Sequence, residues 1–248
     1  MEIIEATDYQ SMSRKAANII SAQVILFPRS VLGLATGSTP LGIYEQLINW
    51  YCKGDIDFRE ARSVNLDEYC GLSPEDPRSY HYYMQENFFK HVNFRETNIR
   101  IPNGLAENIE EECASYDKII ANFGGIDLQL LGLGNTGHIG FNEPDECFDK
   151  MTHKVALRPQ TIADNSRFFK NADEVPRYAI TMGIKAIMQA KKILLVVNGQ
   201  GKSEILKKVL FGPITPEVPA SILQLHPNVI VIADEEALST VRRLHPNL

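Results

Sequence analysis

His138 and Glu143 sit close together in Leu130-Leu-Gly-Leu-Gly-Asn-Thr-Gly-His-Ile-Gly-Phe-Asn-Glu-Pro144, where an apolar run gives way to a loop rich in glycine. An imidazole and a carboxylate at such spacing can work as an acid/base pair. The residues before them, Ile126 to Leu133, read as a buried strand, and Gly132, Gly134, Gly137 and Gly140 open backbone conformations closed to other residues. Pro144 disfavours helix at Glu143, so the pair belongs on an irregular turn at the carboxyl edge of a sheet. A lone histidine is more often structural; the glycine loop and the nearby carboxylate favour function here. No third ligand stands at a recognisable spacing, so no metal is expected at this pair.

The same stretch spells G-x-G-x-x-G at Gly132, Gly134 and Gly137. A dinucleotide fingerprint requires a helix opening on its last glycine. Gly140 and Pro144 would break any helix begun at Gly137, and His138 would crowd a pyrophosphate.

Other candidate residues stand after other apolar runs. After Val31–Ala35 comes Thr36-Gly-Ser-Thr-Pro40, where Thr39 is suited to cap a helix and Pro40 to open it. Gly37, Ser38 and Thr39 would then present backbone N–H groups and hydroxyls to a phosphate at a helix N-terminus, although the same residues also make an ordinary capped start. After Ile193–Asn198 comes Gly199-Gln-Gly-Lys-Ser203, which resembles half of a Walker A loop. Val196 stands where that pattern wants glycine, so Lys202 is read as a point charge for phosphate rather than part of an NTPase. Arg167, in Asn165-Ser-Arg-Phe-Phe169, is a third anion ligand by type, an arginine among aromatics. After Ser63–Leu66 come Asp67 and Glu68, acids where a buried strand emerges. A desolvated carboxylate there suits proton abstraction from carbon, and a capping or salt-bridging role fits Glu68 better than Asp67.

These positions need a frame that brings several strand ends together. Of the chain's 248 residues, 44% are hydrophobic and 23% charged, enough for one large α/β domain. Strands are expected at Val31–Ala35, Ser63–Leu66, Ile126–Leu133, Ile193–Asn198 and Val229–Ala233. Helices are expected at Asp8–Leu26, Pro40–Lys53, Ser79–Phe89, Ile109–Phe123, Pro176–Ala190, Gly201–Leu210 and Asp234–Leu244. This alternation predicts a doubly wound, mostly parallel, Rossmann-like α/β sheet with helices on both faces. The polar, irregular region within 145–175 reads as an insertion able to act as a lid over a single domain spanning 1–248.

The net charge is -6 with no basic stripe, which argues against nucleic acid and anionic membranes as partners. Met1-Glu-Ile-Ile-Glu lacks the features of a signal peptide and no apolar run approaches spanning length, so a cytoplasmic protein is expected. Cys52, Cys70, Cys113 and Cys147 show no C-x-x-C pairing, as for reduced thiols. No feature of the sequence reports on oligomeric state.

Taken together, Leu34-Ala-Thr-Gly-Ser-Thr-Pro40, Asn65-Leu-Asp-Glu-Tyr69, Gly134–Pro144, Asn165-Ser-Arg-Phe-Phe169 and Leu223-Gln-Leu-His226 closely resemble the glucosamine-6-phosphate deaminases of the glucosamine/galactosamine-6-phosphate isomerase family. The likeness spans nearly the whole chain, with the motifs in the family's order. It implies conversion of glucosamine 6-phosphate and water to fructose 6-phosphate and ammonia, without metal or organic cofactor. It further implies Asp67 as the base between C2 and C1, His138 as the ring-opening group, Glu143 as its partner, and Gly37, Ser38, Thr39, Arg167 and Lys202 around the phosphate. Thr136 departs from the pattern, standing where many members have an aspartate or asparagine assigned to ring opening. A hydroxyl hydrogen-bonds but carries no charge at neutral pH, so His138 and Glu143 would have to suffice for the charged part of that role. Sister reactions on the same fold are galactosamine-6-phosphate deamination and 6-phosphogluconolactone hydrolysis; the lactonase needs no enolising carboxylate. A sugar-phosphate sensor would keep the anion loops while losing Asp67, His138 and Glu143.

Overall fold

The computed structural model describes residues 1–148, 151–166, 169, 171 and 174–244. In chain order its strands and α-helices are β1 (Glu2–Ala6), α1 (Tyr9–Leu26), β2 (Val31–Leu34), α2 (Leu41–Lys53), β3 (Arg62–Asn65), β4 (Asp67–Tyr69), α3 (Tyr80–Asn87), β5 (Ile99–Arg100), α4 (Ile109–Asn122), β6 (Leu128–Gly132), β7 (His153–Ala156), α5 (Pro159–Asn165), β8 (Tyr178–Thr181), α6 (Ile184–Met188), β9 (Ile193–Val197), α7 (Ser203–Phe211), β10 (Val229–Asp234) and α8 (Glu235–Leu244).

The large sheet runs β1-β10-β9-β6-β2-β3-β5, and all its pairings are parallel. β9, Ile-Leu-Leu-Val-Val, is buried along its whole length, as a strand covered on both faces must be. From β2 the chain builds outward through β3 to β5. From β6 it builds the other way through β9 to β10, with β1 completing that edge. The winding therefore reverses between β2 and β6, which opens a crevice above their carboxyl ends. This is the doubly wound α/β sheet expected from the alternation of apolar runs. Around it the helices bury one stripe each. In α1 the stripe is Met12, Ala16, Ala17, Ile20 and Val24, and Asp8 caps the start by accepting from Ser11 N–H at 2.7 Å.

A second, antiparallel sheet, β4-β8-β7, stands beside the first. Leu66 is the joint. Its N–H donates to Leu34 in the large sheet, and its carbonyl accepts from Met182 N–H just after β8. The chain therefore changes sheets directly before Asp67. Within 145–175, β7 pairs with β8, and Leu157, Ile162 and Val175 join Tyr69, Phe141 and Ala179 in a small apolar cluster of their own.

Two expectations need correction. Pro176–Ala190 is not one helix: Tyr178–Thr181 forms β8, and only Ile184–Met188 is helical. Ala179, Ile180 and Thr181 are buried between two partner strands, and Gly183 passes so close to Met151 that a Cβ there would lie 2.1 Å from its carbonyl oxygen. Tertiary packing thus sets the strand where local pattern suggests helix. Residues 2–6, for which the pattern predicts no element, form an edge strand paired with β10.

Candidate active site

The loops after β2, β6 and β9 and the first residue of β4 surround a cavity of about 360 Å³. At one end are the anion-ligand candidates. Gly37 has φ 96°, a conformation that favours glycine, and its carbonyl accepts from the Tyr83 hydroxyl at 2.6 Å. The Ser38 carbonyl accepts from the Tyr9 hydroxyl at 3.1 Å, and that hydroxyl in turn accepts from Gly42 N–H at 2.8 Å, serving the first turn of α2. The expected cap at Thr39 is not made. No side chain caps α2 at Pro40, and the Thr39 hydroxyl instead donates to Asn198 Oδ1 at 2.9 Å. Asn198 directly follows β9, so this contact ties the first anion loop to the second. In that second loop Gly199 has φ 88°, and its N–H donates to both carboxylate oxygens of Asp234 at 3.0 Å. Lys202 reaches the cavity and donates to Asn135 Oδ1 from the third loop. Gly37, Ser38, Thr39 and Lys202 thus line one wall, whereas Arg167 lies outside the described residues.

At the other end Asp67 is 6% exposed and its carboxylate, among the described residues, accepts no hydrogen bond. Burial and the adjacent Glu68 push its carboxyl up to about 8. Tyr80 and Phe141 stack beside it, with ring centroids 5.9 Å apart and planes 10° apart, forming an apolar wall of the same cavity. Glu68 has a different task. It accepts N–H groups of Tyr69 at 2.8 Å, Tyr80 at 2.9 Å and His81 at 2.8 Å, and so holds the start of α3. Burial raises its carboxyl pKa, and these three donors oppose the rise.

Between the two ends lies the loop after β6. It turns irregularly, as Pro144 predicts, through a single bridge between Ile139 and Asn142. His138 Nδ1 is 2.8 Å from the Thr136 hydroxyl and 3.3 Å from Glu143 Oε2, while Thr136 donates to that same oxygen at 3.1 Å. With its single proton given to Glu143, Thr136 has a lone pair left to accept from His138 Nδ1–H. The arrangement assigns the ring proton to Nδ1 and leaves the Nε2 lone pair for chemistry. Burial would raise the pKa of Glu143, but the contact with His138 and the hydroxyls of Thr161 and Thr136 hold it below the usual glutamate range. Gly134 leaves room for the imidazole, since a Cβ there would lie 2.0 Å from His138 Nε2.

The structure therefore gathers Asp67, His138, Gly37, Ser38, Thr39 and Lys202 about one cavity, with Thr136 and Glu143 in contact with the Nδ1 side of His138. Sequence reasoning misses Asn198, Asn135 and Thr161. Asn198 and Asn135 lie in the loops after β9 and β6, the kind of position that also marks Lys202 and His138; Thr161, inside α5, carries no local signal. Among the described residues no three His, Cys, Asp or Glu side chains converge as a metal site, and no helix is long and apolar enough to cross a membrane.

A family model described as glucosamine-6-phosphate isomerases/6-phosphogluconolactonase matches residues 7–231. The chain belongs to this family. It is 63% identical over 232 residues to a glucosamine-6-phosphate deaminase of Lachnoclostridium phytofermentans, covering 94% of this chain and 98% of that one. With a glucosamine-6-phosphate deaminase of Thermoanaerobacter pseudethanolicus the identity is 54% over 241 residues, covering 97% and 95%. Among solved structures, a monomeric glucosamine-6-phosphate deaminase superposes with a TM-score of 0.95 at 45% identity, covering 97% of this chain and 100% of that one. A 6-phosphogluconolactonase from Leishmania guyanensis shares the fold, with a TM-score of 0.75 at 19% identity.

Proposed function

We propose that the chain is a glucosamine-6-phosphate deaminase, converting glucosamine 6-phosphate and water to fructose 6-phosphate and ammonia. The observation that carries the reading is Asp67: a buried carboxylate without a hydrogen-bond partner among the described residues, facing the cavity that also holds His138. A lactonase has no use for a carboxylate held ready to enolise carbon, and a sensor has none for the His138–Thr136–Glu143 array.

In this reading the phosphate rests on Gly37, Ser38 and Thr39, with Lys202 and Arg167 closing around it. His138, its Nδ1 proton held by Thr136, uses Nε2 to take the C1 hydroxyl proton and return it to the ring oxygen, which opens the pyranose. Asp67 then removes the proton from C2 while the substrate ammonium passes one proton to O1, giving the neutral enolamine, and Asp67 delivers its proton to C1. Water adds to the resulting C2 iminium, and ammonia leaves. Glu143 balances the imidazolium charge that forms on the way. The chemistry calls for no metal or organic cofactor. Residues 1–248 act as one domain, with a lid within 145–175 that shields the enolamine from water. The partner is an amino-sugar phosphate rather than nucleic acid or membrane, and a cytoplasmic location goes with such a substrate.

The test is ammonia release by the purified chain from glucosamine 6-phosphate and galactosamine 6-phosphate, alongside hydrolysis of 6-phosphogluconolactone. Fast release from the first supports the reading. Preference for the galacto epimer would move it to the sister deaminase, and lactone hydrolysis without ammonia release would overturn it.

A further inference from the structure

Thr161 stands in the first turn of α5, where its side chain lines the cavity and its hydroxyl donates to Glu143 Oε1. The residue is 3% exposed. The other carboxylate oxygen, Oε2, is the one that faces His138 Nδ1 and accepts from Thr136. The two oxygens thus serve different partners: Oε2 serves the imidazole and Oε1 serves α5. The last torsion of a glutamate is a broad, roughly two-fold well, so contacts at Oε2 alone leave the carboxylate free to rock out of the plane His138 needs. A donor at Oε1 removes that freedom. A second partner of this sort commonly fixes the orientation and tautomer of a working histidine.

We infer that Thr161 is a positioning residue that locks the Glu143 carboxylate, and through it the imidazole of His138. The dependence extends to α5 itself. Leu157 and Ile162, on either side of Thr161, are packed into the small core formed with Tyr69 and Phe141 beside the second sheet. The hydroxyl reaches Glu143 only while that packing holds, so the acid/base array is complete only when α5 is seated. The inference rests on the reading of His138 as the acid/base group.

The test compares Thr161→Val, which keeps the shape and removes the hydroxyl, with Thr161→Ser, which restores it. Nitrogen NMR of histidine-labelled, ligand-free protein reads the tautomer of His138, assigned by the signal lost in His138→Gln. Wild type and Thr161→Ser are expected to show the Nδ1–H form, and Thr161→Val a mixture of both tautomers. In steady-state assays Thr161→Val should lose about tenfold in kcat with KM within about twofold, as for a lost hydrogen bond to a charged group, and Thr161→Ser should recover most of it. His138 signals unchanged in Thr161→Val overturn the inference. So does a Thr161→Ser variant altered as much as Thr161→Val, which would mark a packing role, or a loss confined to KM, which would mark a substrate contact. Absence of ammonia release by the wild type would sink the deaminase reading and leave the NMR comparison to decide this one.

Discussion

Asp67 and Glu68 are consecutive acids on one short strand, and their carboxylates end in opposite circumstances: Glu68 accepts three backbone N–H groups, and Asp67, among the described residues, accepts no hydrogen bond. Alternation along a strand sends the two to opposite faces. One acid is used up in starting α3. The other is held desolvated at the cavity, where a carboxylate is a stronger base than in water.

Asp67→Asn should therefore reduce kcat by ~10²–10⁴-fold or more while substrate binding stays within about an order of magnitude, because the amide keeps the shape but takes no proton from carbon. The wild-type kcat/KM should rise with pH toward a plateau above about 8, where the free enzyme's Asp67 ionises. Stability should move the other way. The folded-state pKa lies above the unfolded value of about 3.9, so the native chain binds the extra proton between them and loses stability as pH rises through that window. Asp67→Asn removes the penalty, and its Tm should exceed that of wild type by a margin that widens from about pH 4 to about pH 8. Near-normal turnover in a folded variant would remove Asp67 from the mechanism.

Lys202→Ala and Arg167→Ala should each raise KM for the phosphorylated sugar about tenfold or more, since each removes a charge-assisted contact to a dianion. Unphosphorylated glucosamine, assayed at high concentration, should be indifferent to both. Wild-type KM in both variants would show that the phosphate lies elsewhere.

Thr136→Ala should be milder than His138→Ala or Glu143→Gln. The hydroxyl relays between His138 and Glu143, yet those two are already 3.3 Å apart and can pair directly once it is gone. A loss of about tenfold in kcat is expected, the worth of one modest hydrogen bond. A defect as deep as that of His138→Ala would make the hydroxyl central to ring opening.

Gly134→Ala should cost at least about a hundredfold in kcat, because the new methyl would occupy the place of the imidazole and a misplacement of about 1 Å in a catalytic group is enough for such a loss. Circular dichroism and Tm near wild type, together with the kinetic loss, would separate displacement of His138 from unfolding. Wild-type kcat would mean that the ring works from another position.

The large sheet is legible in the sequence because its central strands are continuous apolar runs bounded by glycine or polar loops, as in Ile193–Val197, and buried on both faces. The small sheet is not. Asp67–Tyr69 is too short to show a period, and its partner Tyr178–Thr181 lies far along the chain, so its apolar residues pass for part of a helix. Within the site, the residues just beyond strands can be picked out by type and place. Two features cannot. Thr39 has a capping residue's type and position, but Asn198, remote in sequence, offers its hydroxyl a better partner. Thr161 reaches Glu143 only because the small core seats α5, a contact that exists in three dimensions and leaves no trace in local pattern.

The hydrogen bond from Thr39 to Asn198 joins loops contributed by the first and last thirds of the chain, and both border the place where phosphate is proposed to sit. An anion seated there would act as a mortise pin, touching two parts of the chain that folding must bring together. Whatever it gains from binding only the joined form is returned as resistance to their separation. In a cell rich in sugar phosphates, such a chain would be sturdier than the same chain in plain buffer, and its metabolite would serve as its own scaffold.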